Sequence, residues 1–321
     1  MSDPSVSVIL NCYTRDRFAW IIDCLTTIMG QSSRPDEVIV VVDDNWELSV
    51  DLAMWLPEHW DMVEIVDTTT RRGNSGARNI GAQHATGDIL LFTDDDAILS
   101  PGWIEALRSA FADSDVVAAG GPVRPLWECD RPTWWPPEFN WLVGANTIDE
   151  YSDREWVRNS YGSNLAIRRD AFEAVGGFNE AVGRVGSSQR QGHESEFALR
   201  LRQETGARWK WVAEAIVRHR VTADRVRLRA LIRRCWMQGI SKAIMAEQFG
   251  AVDSREREFF VTVIQQSVRN LGRLHFRIVL AMWLFATVVV AGFVFGRVST
   301  IENTDFRDAT PGVEDRETYI R

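Results

Sequence analysis

Lysine is almost missing from this chain of 321 residues. Lys210 and Lys242 are its two lysines, so nearly all of the 36 basic residues are arginine. The 45 acidic residues give a formal net charge of −9 and a pI near 5.2, which argues against a general nucleic-acid-binding protein. Scarce lysine with surplus acid fits a salt-adapted or high-GC organism.

Cysteine is scarce as well, and no CxxC pair occurs. This argues against a zinc site and indicates a reducing compartment. The four cysteines are Cys12, Cys24, Cys129 and Cys235. Residues 1–5 have no basic region and no long apolar region follows them, so we expect no signal peptide. Residues 11–15 contain no G-x-G-x-x-G, which disfavours a dinucleotide-dependent oxidoreductase.

Charge is absent from one long segment, the nineteen residues from Ile278 to Gly296 between Arg277 and Arg297. As a helix it spans about 28 Å, close to the hydrocarbon thickness of roughly 30 Å. We predict a transmembrane helix over 278–296 and a polar tail over 297–321, with a buried core helix as the alternative. Because arginines cluster upstream, the positive-inside rule predicts a single-pass cell-membrane protein with a cytoplasmic N-terminal domain.

Strand and helix patterns alternate through the first 120 residues. Buried-strand patterns cover 6–10, 37–42, 63–66, 88–93 and 116–119. Helical patterns cover 18–29, 46–56, 75–85 and 101–112. This alternation predicts an α/β fold with a mostly parallel sheet, right-handed crossovers and helices on both faces.

The alternation breaks between Pro122 and Arg158, which holds five of the ten prolines. The segment is predicted to be an irregular excursion over the sheet, either a packed loop or a wall of an acceptor site. Its tryptophans are Trp127, Trp134, Trp135, Trp141 and Trp156.

Residues 223–277 are predicted to form basic amphipathic helices beside the membrane. Apolar residues recur at helical spacing from Leu228 to Ala243, and 225–242 holds six basic residues and no acid. Such a helix lies on an anionic membrane surface or packs on a core with its basic face in solvent.

Three adjacent carboxylates, Asp94, Asp95 and Asp96, end the strand pattern 88–93. Like charges repel, so a cation is expected among them, and hard divalent cations take oxygen ligands. Ligands of open α/β sheets bind outside the carboxyl ends of the strands. The sequence therefore predicts a metal site at this position.

Further motifs accompany the triple aspartate in a fixed order. They are Asn-Cys-Tyr-Thr-Arg at 11–15, Asp-Asp at 43–44, Arg-Gly-Asn-Ser-Gly-Ala-Arg-Asn-Ile-Gly at 72–81, Gly-Ser-Asn at 162–164, Gly-Gly-Phe-Asn-Glu at 176–180, Gly-His-Glu-Ser-Glu at 192–196 and Val-Arg-His at 217–219. Together they resemble a family 2 glycosyltransferase of the inverting, metal-dependent kind over about residues 5–220. The resemblance implies a GT-A, Rossmann-like catalytic domain over 1–222, with a nucleotide-binding half at 1–120 and an acceptor-binding half at 121–222.

The resemblance also implies donor-binding residues. Tyr13 packs on the nucleotide base, and Asp43 accepts a hydrogen bond from the uracil edge. Arg78 holds the donor nucleotide, since a fixed cation suits a diphosphate. Asp94 and Asp96 form the DxD motif, whose carboxylates bind the donor's ribose and the metal, and Asp94 and Asp95 are the donor-binding residues of this segment.

For the metal, Mn²⁺ or Mg²⁺, the resemblance implies Asp96, Asp94 and His219 as ligands. Glu194 matches the catalytic base, with Glu196 as the alternative. Here His193 precedes the base where the family has Glu, and the base itself is Glu where the family has Asp. The expected acceptor contacts are Asn164, Trp134 and Trp135.

The implied function is transfer of a hexose or hexuronic acid from a nucleotide sugar, expected to be UDP-linked, to a lipid-linked glycan. The chain is similar to archaeal enzymes that build dolichol-phosphate-linked glycans for protein N-glycosylation. Alternatives are a polyprenol-phosphate sugar synthase, whose lipid phosphate would bind the arginines at 225–234, and a surface-polysaccharide glycosyltransferase. An inactive nucleotide-binding scaffold is the non-enzyme alternative, which the intact Asp94, Asp96 and Glu194 disfavour.

Overall fold

The computed structural model describes residues 3–57, 60–146, 155–182, 192–250 and 254–302. Its strands are β1 Val6–Cys12, β2 Glu37–Asp43, β3 Val63–Thr68, β4 Ile89–Asp94, β5 Ala97–Leu99, β6 Ala118–Gly120, β7 Val123–Trp127, β8 Trp156–Val157, β9 Leu165–Arg168, β10 Trp209–Trp211 and β11 Val217–Val221. Its helices are α1 Phe18–Met29, α2 Trp46–Trp55, α3 Gly73–His84, α4 Trp103–Ala110, α5 Arg169–Ala174, α6 His193–Thr205, α7 Leu228–Phe249, α8 Ser254–Gly272 and α9 Phe276–Glu302. Short 3₁₀ helices cover Arg15–Arg17, Pro137–Val143 and Ala223–Val226.

The larger sheet has the strand order β3-β2-β1-β4-β9-β6-β10-β8. Strands β3, β2, β1 and β4 are parallel, β9 is antiparallel to both of its neighbours, and β10 is parallel to β6. All seven residues of β1 are buried. Continuous apolar runs of this kind are typical of parallel strands covered on both faces. The predicted mostly parallel α/β sheet is therefore confirmed.

Helices cover both faces of this sheet, as predicted. One core cluster joins it to α1, α2 and α4, and a second joins it to α3, α5 and α6. Helix α1 shows why: Ile21, Leu25 and Ile28 recur at helical spacing and are fully buried against the strands. Helix α2 begins where the Asn45 side chain accepts a hydrogen bond from the Leu48 N–H at 3.1 Å.

A smaller sheet, in the order β5-β11-β7, continues the fold beyond β4. Strand β11 is parallel to β7 and antiparallel to β5, and His219 pairs with Ala97 in this register. The Arg220 N–H also donates to the Asp96 carbonyl at 2.9 Å. The register thus places His219 beside the acidic residues that follow β4.

The segment expected to be an irregular excursion contains β7, the 3₁₀ helix Pro137–Val143 and β8. Its described part packs against the C-terminal helices in a third apolar cluster. In that cluster Trp135 and Phe139 are buried together with Leu231 of α7 and Phe285 of α9.

Helices α7 and α9 lie in close contact through small residues. A Cβ on Gly239 would lie 2.2 Å from the Val289 carbonyl oxygen, and one on Gly292 would lie 2.3 Å from the Trp236 carbonyl oxygen. Only glycine permits such backbone approach. The amphipathic helix therefore packs small and apolar residues on α9.

The predicted transmembrane segment 278–296 lies within α9. Within the described residues α9 is the one helix long and apolar enough to cross a membrane, over Phe276–Ser299. Helix α9 continues to Glu302, whereas most of the predicted polar tail, 303–321, lies outside the described residues.

Candidate active site

Polar residues from neighbouring strands meet at the carboxyl ends of β1, β2 and β4. Asn11 of β1 pairs with Asp94 of β4, and Asp43 ends β2 on the other side of β1. The Asp43 carboxylate accepts hydrogen bonds from the Arg72 and Gly73 N–H groups at 2.7 and 2.9 Å. This fixes the start of α3 at the sheet edge.

Asp94, Asp96 and His219 form a cluster with the donor set of a divalent-metal site. One ligand atom from each lies within 4.8 Å of the others, and His219 Nε2 is 3.1 Å from Asp96 Oδ1. Carboxylate oxygens and an imidazole nitrogen suit Mn²⁺, and the carboxylates also suit Mg²⁺. The residues present therefore fit the predicted metal.

Two arginines also contact the acidic cluster. Arg17 Nη1 is 2.6 Å from Asp95 Oδ1, and Arg225 Nη2 is 2.7 Å from Asp96 Oδ2. Burial alone would raise the pKa of Asp96, but His219 and Arg225 hold that pKa well below its usual range. Burial and repulsion from Asp96 instead raise the pKa of Asp95.

Arg78, on α3, is fully buried behind the cluster. Its Nη2 is 2.7 Å from Asp94 Oδ1, and its Nη1 is 2.9 Å from His193 Nε2 and 3.6 Å from Glu194 Oε1. Gly162 makes room for this guanidinium, because a Cβ there would lie 2.2 Å from Nη2. Arg78 thus links the acidic cluster to the start of α6.

Glu194 is the second residue of α6. Its Oε1 accepts a hydrogen bond from the Gly162 N–H at 3.3 Å and lies 3.1 Å from His193 Nε2. Burial raises the pKa of Glu194, but His193 and Arg78 outweigh burial and hold the pKa below its ordinary value. The carboxylate is therefore ionised at neutral pH and 22% exposed.

Glu196, the alternative base, is 3% exposed, and its carboxylate is paired with Arg200 at 2.9 Å. Unlike Glu194, it does not line the cavity formed by the described residues. The geometry favours Glu194.

One cavity of about 770 Å³ joins these groups to the C-terminal helices. At one end it is lined by Tyr13, Asp43 and the three aspartates, and Glu194 lies in its wall. At the other end, polar residues of α7 meet an apolar wall from α8 and α9. These residues are Arg234, Gln238, Lys242, Phe259, Phe260, Ala286, Val289, Val290 and Phe293.

Tyr13 is half-exposed beside two cations. The Arg17 and Arg71 guanidinium carbons lie 5.4 and 5.5 Å from the centroid of its ring. Both arginines also line the cavity. This end therefore offers an aromatic surface and positive charge together.

Four residues predicted to contact substrates do not line the cavity among the described residues. Asn164 is fully buried, where it accepts from Trp103 Nε1 at 2.8 Å and donates to the Ala215 carbonyl at 2.7 Å. Trp134 and Trp135 pack in the third apolar cluster, whereas Trp141 of the same segment reaches the cavity. Arg78 contacts Asp94 and His193 from behind the cavity wall.

The sequence reasoning missed Arg17, Arg71 and the cavity-lining residues of α9. Arg17 and Arg71 follow β1 and β3, so their position at strand ends was a usable signal. Gly292 and Gly296 of α9 are spaced four residues apart, and such spacing in an apolar helix indicates close helix packing. No pattern in the sequence indicated that Phe293 would line the cavity.

Comparison with known proteins agrees with this geometry. The family model described as Glycosyl transferase family 2 matches residues 7–176. A glucosyl-dolichyl phosphate glucuronosyltransferase of Haloferax volcanii is 31% identical over 91% of this chain and 96% of its own length. A pre-mycofactocin glycosyltransferase of Mycobacterium tuberculosis is 28% identical over 65% of this chain and 42% of its own length.

Among solved structures, the mannosyltransferase PcManGT from Pyrobaculum calidifontis, in complex with GDP-Man and Mn²⁺, superposes with a TM-score of 0.59. It is 20% identical, with coverage of 92% of this chain and 88% of that one. GalNAc-T7 with UDP, GalNAc and Mn²⁺ superposes with a TM-score of 0.54 at 14% identity, covering 80% and 53%. These likenesses confirm the predicted GT-A fold.

Proposed function

Because the chain belongs to glycosyl transferase family 2, we propose that it transfers a hexuronic acid or hexose from a UDP-sugar to a lipid-linked glycan, with inversion. The observation that carries the proposal is that one continuous cavity runs from the acidic strand ends to the apolar wall of α9. A nucleotide sugar suits the first end, and a dolichol- or polyprenol-phosphate-linked acceptor suits the second.

At the donor end, the aromatic ring of Tyr13 offers a surface on which the nucleotide base would pack. Asp43 Oδ2 accepts from the Gly73 N–H and keeps capacity for one further donor, such as the uracil N–H. Asp94, Asp96 and His219 would hold a divalent cation, which supplies charge stabilisation for the departing nucleoside diphosphate. The manganese in the two solved relatives supports this assignment.

Hexuronate as the donor sugar draws support from charge as well as from the Haloferax relative. The cavity lining includes basic residues as well as the carboxylates: Arg17, Arg71, Arg158, Arg225, Arg234 and Lys242. A UDP-hexuronate carries a sugar carboxylate in addition to its diphosphate, and a basic residue of this lining would suit that carboxylate.

Glu194 is the proposed base. As the acceptor hydroxyl oxygen bonds to the anomeric carbon, the bond from that carbon to the diphosphate breaks, and the hydroxyl proton passes to Glu194. Attack opposite the leaving group inverts the anomeric centre. General-base catalysis is typically worth about 10²–10⁴-fold in rate.

At the acceptor end, basic residues of the cavity lining adjoin apolar ones. This arrangement suits a polyprenyl phosphate, which has a charged phosphate and an apolar chain. Lys242 and Arg234 of α7 would face the phosphate, while Val289, Val290 and Phe293 of α9 would meet the isoprenoid chain. A bare polyprenol phosphate fits the same boundary, so the synthase reaction is the second candidate. A glucosyl-bearing acceptor is favoured by the name of the Haloferax relative. A place in protein N-glycosylation rests on the resemblance to archaeal enzymes that build dolichol-phosphate-linked glycans.

Membrane attachment is proposed to use the outer faces of α8 and α9. Val261, Ile264 and Val268 recur at helical spacing on α8 and are 50–66% exposed, and Leu280 of α9 is 72% exposed. Arginines 269, 273 and 277 lie near the turn between the helices and suit anionic headgroups. In this arrangement α9 is the single span, the part of α7 that packs on it lies at the membrane with it, and residues 1–222 are cytoplasmic.

The proposal is tested with detergent-solubilised full-length protein, a panel of UDP- and GDP-sugars, and Mn²⁺ or Mg²⁺. Glucosyl-dolichyl phosphate and bare dolichyl phosphate are the two acceptors. Metal-dependent transfer that is lost in Asp96→Ala and Glu194→Gln supports the proposal, and the preferred acceptor separates the two candidate reactions. Nucleotide binding without turnover of any donor would favour a non-catalytic scaffold.

Orientation needs a separate experiment. Single cysteines introduced into the segment 303–321 are labelled in intact and permeabilised cells with a membrane-impermeant maleimide. Labelling in intact cells supports a cytoplasmic catalytic domain, and labelling only after permeabilisation overturns it.

A further inference from the structure

A second cavity, of about 440 Å³, lies where the segment 131–138 meets the turn between α8 and α9. It shares no lining residue with the reaction cavity. Three arginines line it, Arg131 from the segment, Arg269 from α8 and Arg273 directly after α8, whereas Glu138 is the acidic residue of the lining. The cavity therefore carries an excess of positive charge that the proposed transfer does not use.

These three arginines are not neutralised by the protein. None of them forms an ion pair with a carboxylate within the part of the chain that the structure describes. Arg131 instead packs on an aromatic ring, with its guanidinium carbon 6.0 Å from the centroid of Trp127. Because like charges around one cavity repel each other, an anion bound among them would lower the electrostatic energy.

Hydrogen bonds fix the turn that carries part of this lining. The Arg273 and His275 N–H groups donate to the Asn270 carbonyl at 3.2 and 2.9 Å, and His275 Nδ1 lies 3.3 Å from Asn270 Oδ1. Asn270 Nδ2 in turn donates to the Gln266 carbonyl at 2.8 Å. An ordered backbone reduces the conformational entropy that is lost when a ligand binds.

The cavity uses one side of α8, and the surface proposed to meet the membrane uses the other. Three polar lining residues recur at helical spacing, namely Gln266, Arg269 and Asn270. By the same spacing, the exposed apolar residues of α8 lie on the opposite side of the helix. Leu274 and Phe276, beside the lining residues of the turn, are also exposed. The basic cavity thus adjoins an apolar surface, as expected of a site for a lipid headgroup.

We propose that this cavity binds the headgroup of an acidic phospholipid that bears a hydroxyl group beyond its phosphate, as a phosphoglycerol headgroup does. The phosphodiester accepts hydrogen bonds from Arg269 and Arg273, and a headgroup hydroxyl donates to the Glu138 carboxylate. Glu138 Oε2 has no hydrogen-bond partner among the described residues, so the carboxylate keeps acceptor capacity. This inference rests on the proposed membrane attachment through α8 and α9, but not on the proposed transfer reaction.

The test measures lipid binding by full-length protein in a neutral detergent, with retained lipid counted by native mass spectrometry during titration. Phosphatidylglycerol should bind more tightly than phosphatidylcholine. Arg269→Gln and Arg273→Gln should each weaken phosphatidylglycerol binding about fivefold, the effect expected for one cation beside an anionic lipid.

Arg277→Gln is the matched control for these two variants. Arg277 is exposed at the same turn and does not line the cavity, so its replacement removes the same charge and should leave the affinity near that of wild type. An equal loss in Arg277→Gln would mean diffuse attraction to a basic surface and would overturn the site.

Phosphatidylmethanol tests the hydroxyl contact, because it has the charge of phosphatidylglycerol but no headgroup hydroxyl. Wild-type protein should prefer phosphatidylglycerol, and the preference should narrow in Glu138→Gln, where a charged acceptor becomes neutral. Equal affinity of wild type for the two lipids, or a preference for phosphatidylethanolamine, would overturn the hydroxyl assignment. Displacement of the lipid by equimolar glycerol phosphate or inorganic phosphate would identify a soluble anion as the ligand and overturn the lipid.

Failure of the proposed function gives a different result. Protein that stays in solution without detergent and does not float with phosphatidylglycerol vesicles would refute the membrane attachment. Protein that floats equally with phosphatidylglycerol and phosphatidylcholine vesicles and retains neither lipid in detergent would refute the headgroup site alone. Protein that prefers phosphatidylglycerol but transfers no sugar would refute the proposed reaction and support the site.

Discussion

The Arg225 guanidinium lies 2.7 Å from Oδ2 of Asp96. Arg225 follows β11, and Asp96 is one of the three predicted metal ligands. Arg225 also lies 3.2 Å from His219 Nε2. Its charge therefore competes with any cation for the same two side chains.

Replacing Arg225 with Met should tighten Mn²⁺ binding about tenfold, or roughly 1.4 kcal/mol, because a competing cation is removed from the cluster. Mn²⁺ affinity is measured by electron paramagnetic resonance without substrates. Arg227→Met is the control, since Arg227 is 75% exposed and pairs with Asp224. Weaker or unchanged affinity in Arg225→Met would contradict competition at this site.

Gly162→Ala should disrupt both the base and the acidic cluster. Its Cβ would lie 2.2 Å from Arg78 Nη2, and the buried guanidinium has little room to move. We expect a loss of about 1–3 kcal/mol in the free energy of unfolding and at least a tenfold loss of transfer activity. Chemical denaturation and activity assays check this. In Gly272→Ala, where nothing lies within 4 Å of the new Cβ, both quantities should stay near wild type.

Sequence patterns predicted the strands and the acidic strand end because those signals are local. A buried parallel strand needs a continuous apolar run, and β1, β2 and β4 each have one. The roles of Asn164 and Arg78 are not local. Both are fully buried, and their partners Ala215 and His193 are distant in sequence. Motif matching therefore found the residues but not their contacts within the protein.

The C-terminal helices show a second property that the sequence alone does not determine. Apolar composition predicts that α9 avoids water, but it does not distinguish lipid from protein as the partner. Helix α9 has one side on which Met282 and Phe285 are buried in protein and another, apolar side on which Leu280 is exposed. Only the folded arrangement separates the two faces.

The glycine contacts between α7 and α9 predict a steric effect on the cavity wall. Gly292→Leu places a side chain where the Trp236 carbonyl oxygen lies, so α9 should move away from α7. We expect lower thermal stability in detergent and faster proteolysis of the C-terminal helices. Ala291→Leu is the control, since Ala291 is exposed on the same helix. Equal stability of the two variants would mean that the helices tolerate separation.

The cysteines should react unequally with a maleimide at pH 8. Burial raises the pKa of Cys12 and Cys24 well above the ordinary value, and raises that of Cys235 to about 12. Their thiolates are therefore scarce as well as inaccessible. We expect Cys129 to be labelled first in native protein and all four to be labelled after denaturation, as counted by mass spectrometry. Early labelling of Cys24 would contradict the packing of α1 on the sheet.

Glu194 should contribute to stability in a pH-dependent way. Its pKa is lowered in the folded protein, so its contribution is complete above the ordinary carboxyl pKa and is lost as the pH falls through the folded value. We expect Glu194→Gln to be less stable than wild type at pH 7, with a difference that narrows below about pH 4. Denaturation curves at several pH values test this. A difference that widened in acid would contradict the ion-pair assignment.

One face of α9 closes the reaction cavity through Val289 and Phe293, and the opposite face is apolar and open. A fragment ending before residue 276 would therefore keep the acidic cluster but lose one side of the cavity. Removing α9 to gain solubility would also remove part of the cavity wall. Under the proposed membrane attachment, the lipid or detergent around α9 contacts the back of that wall, and bilayer thickness should alter the rate of the proposed transfer.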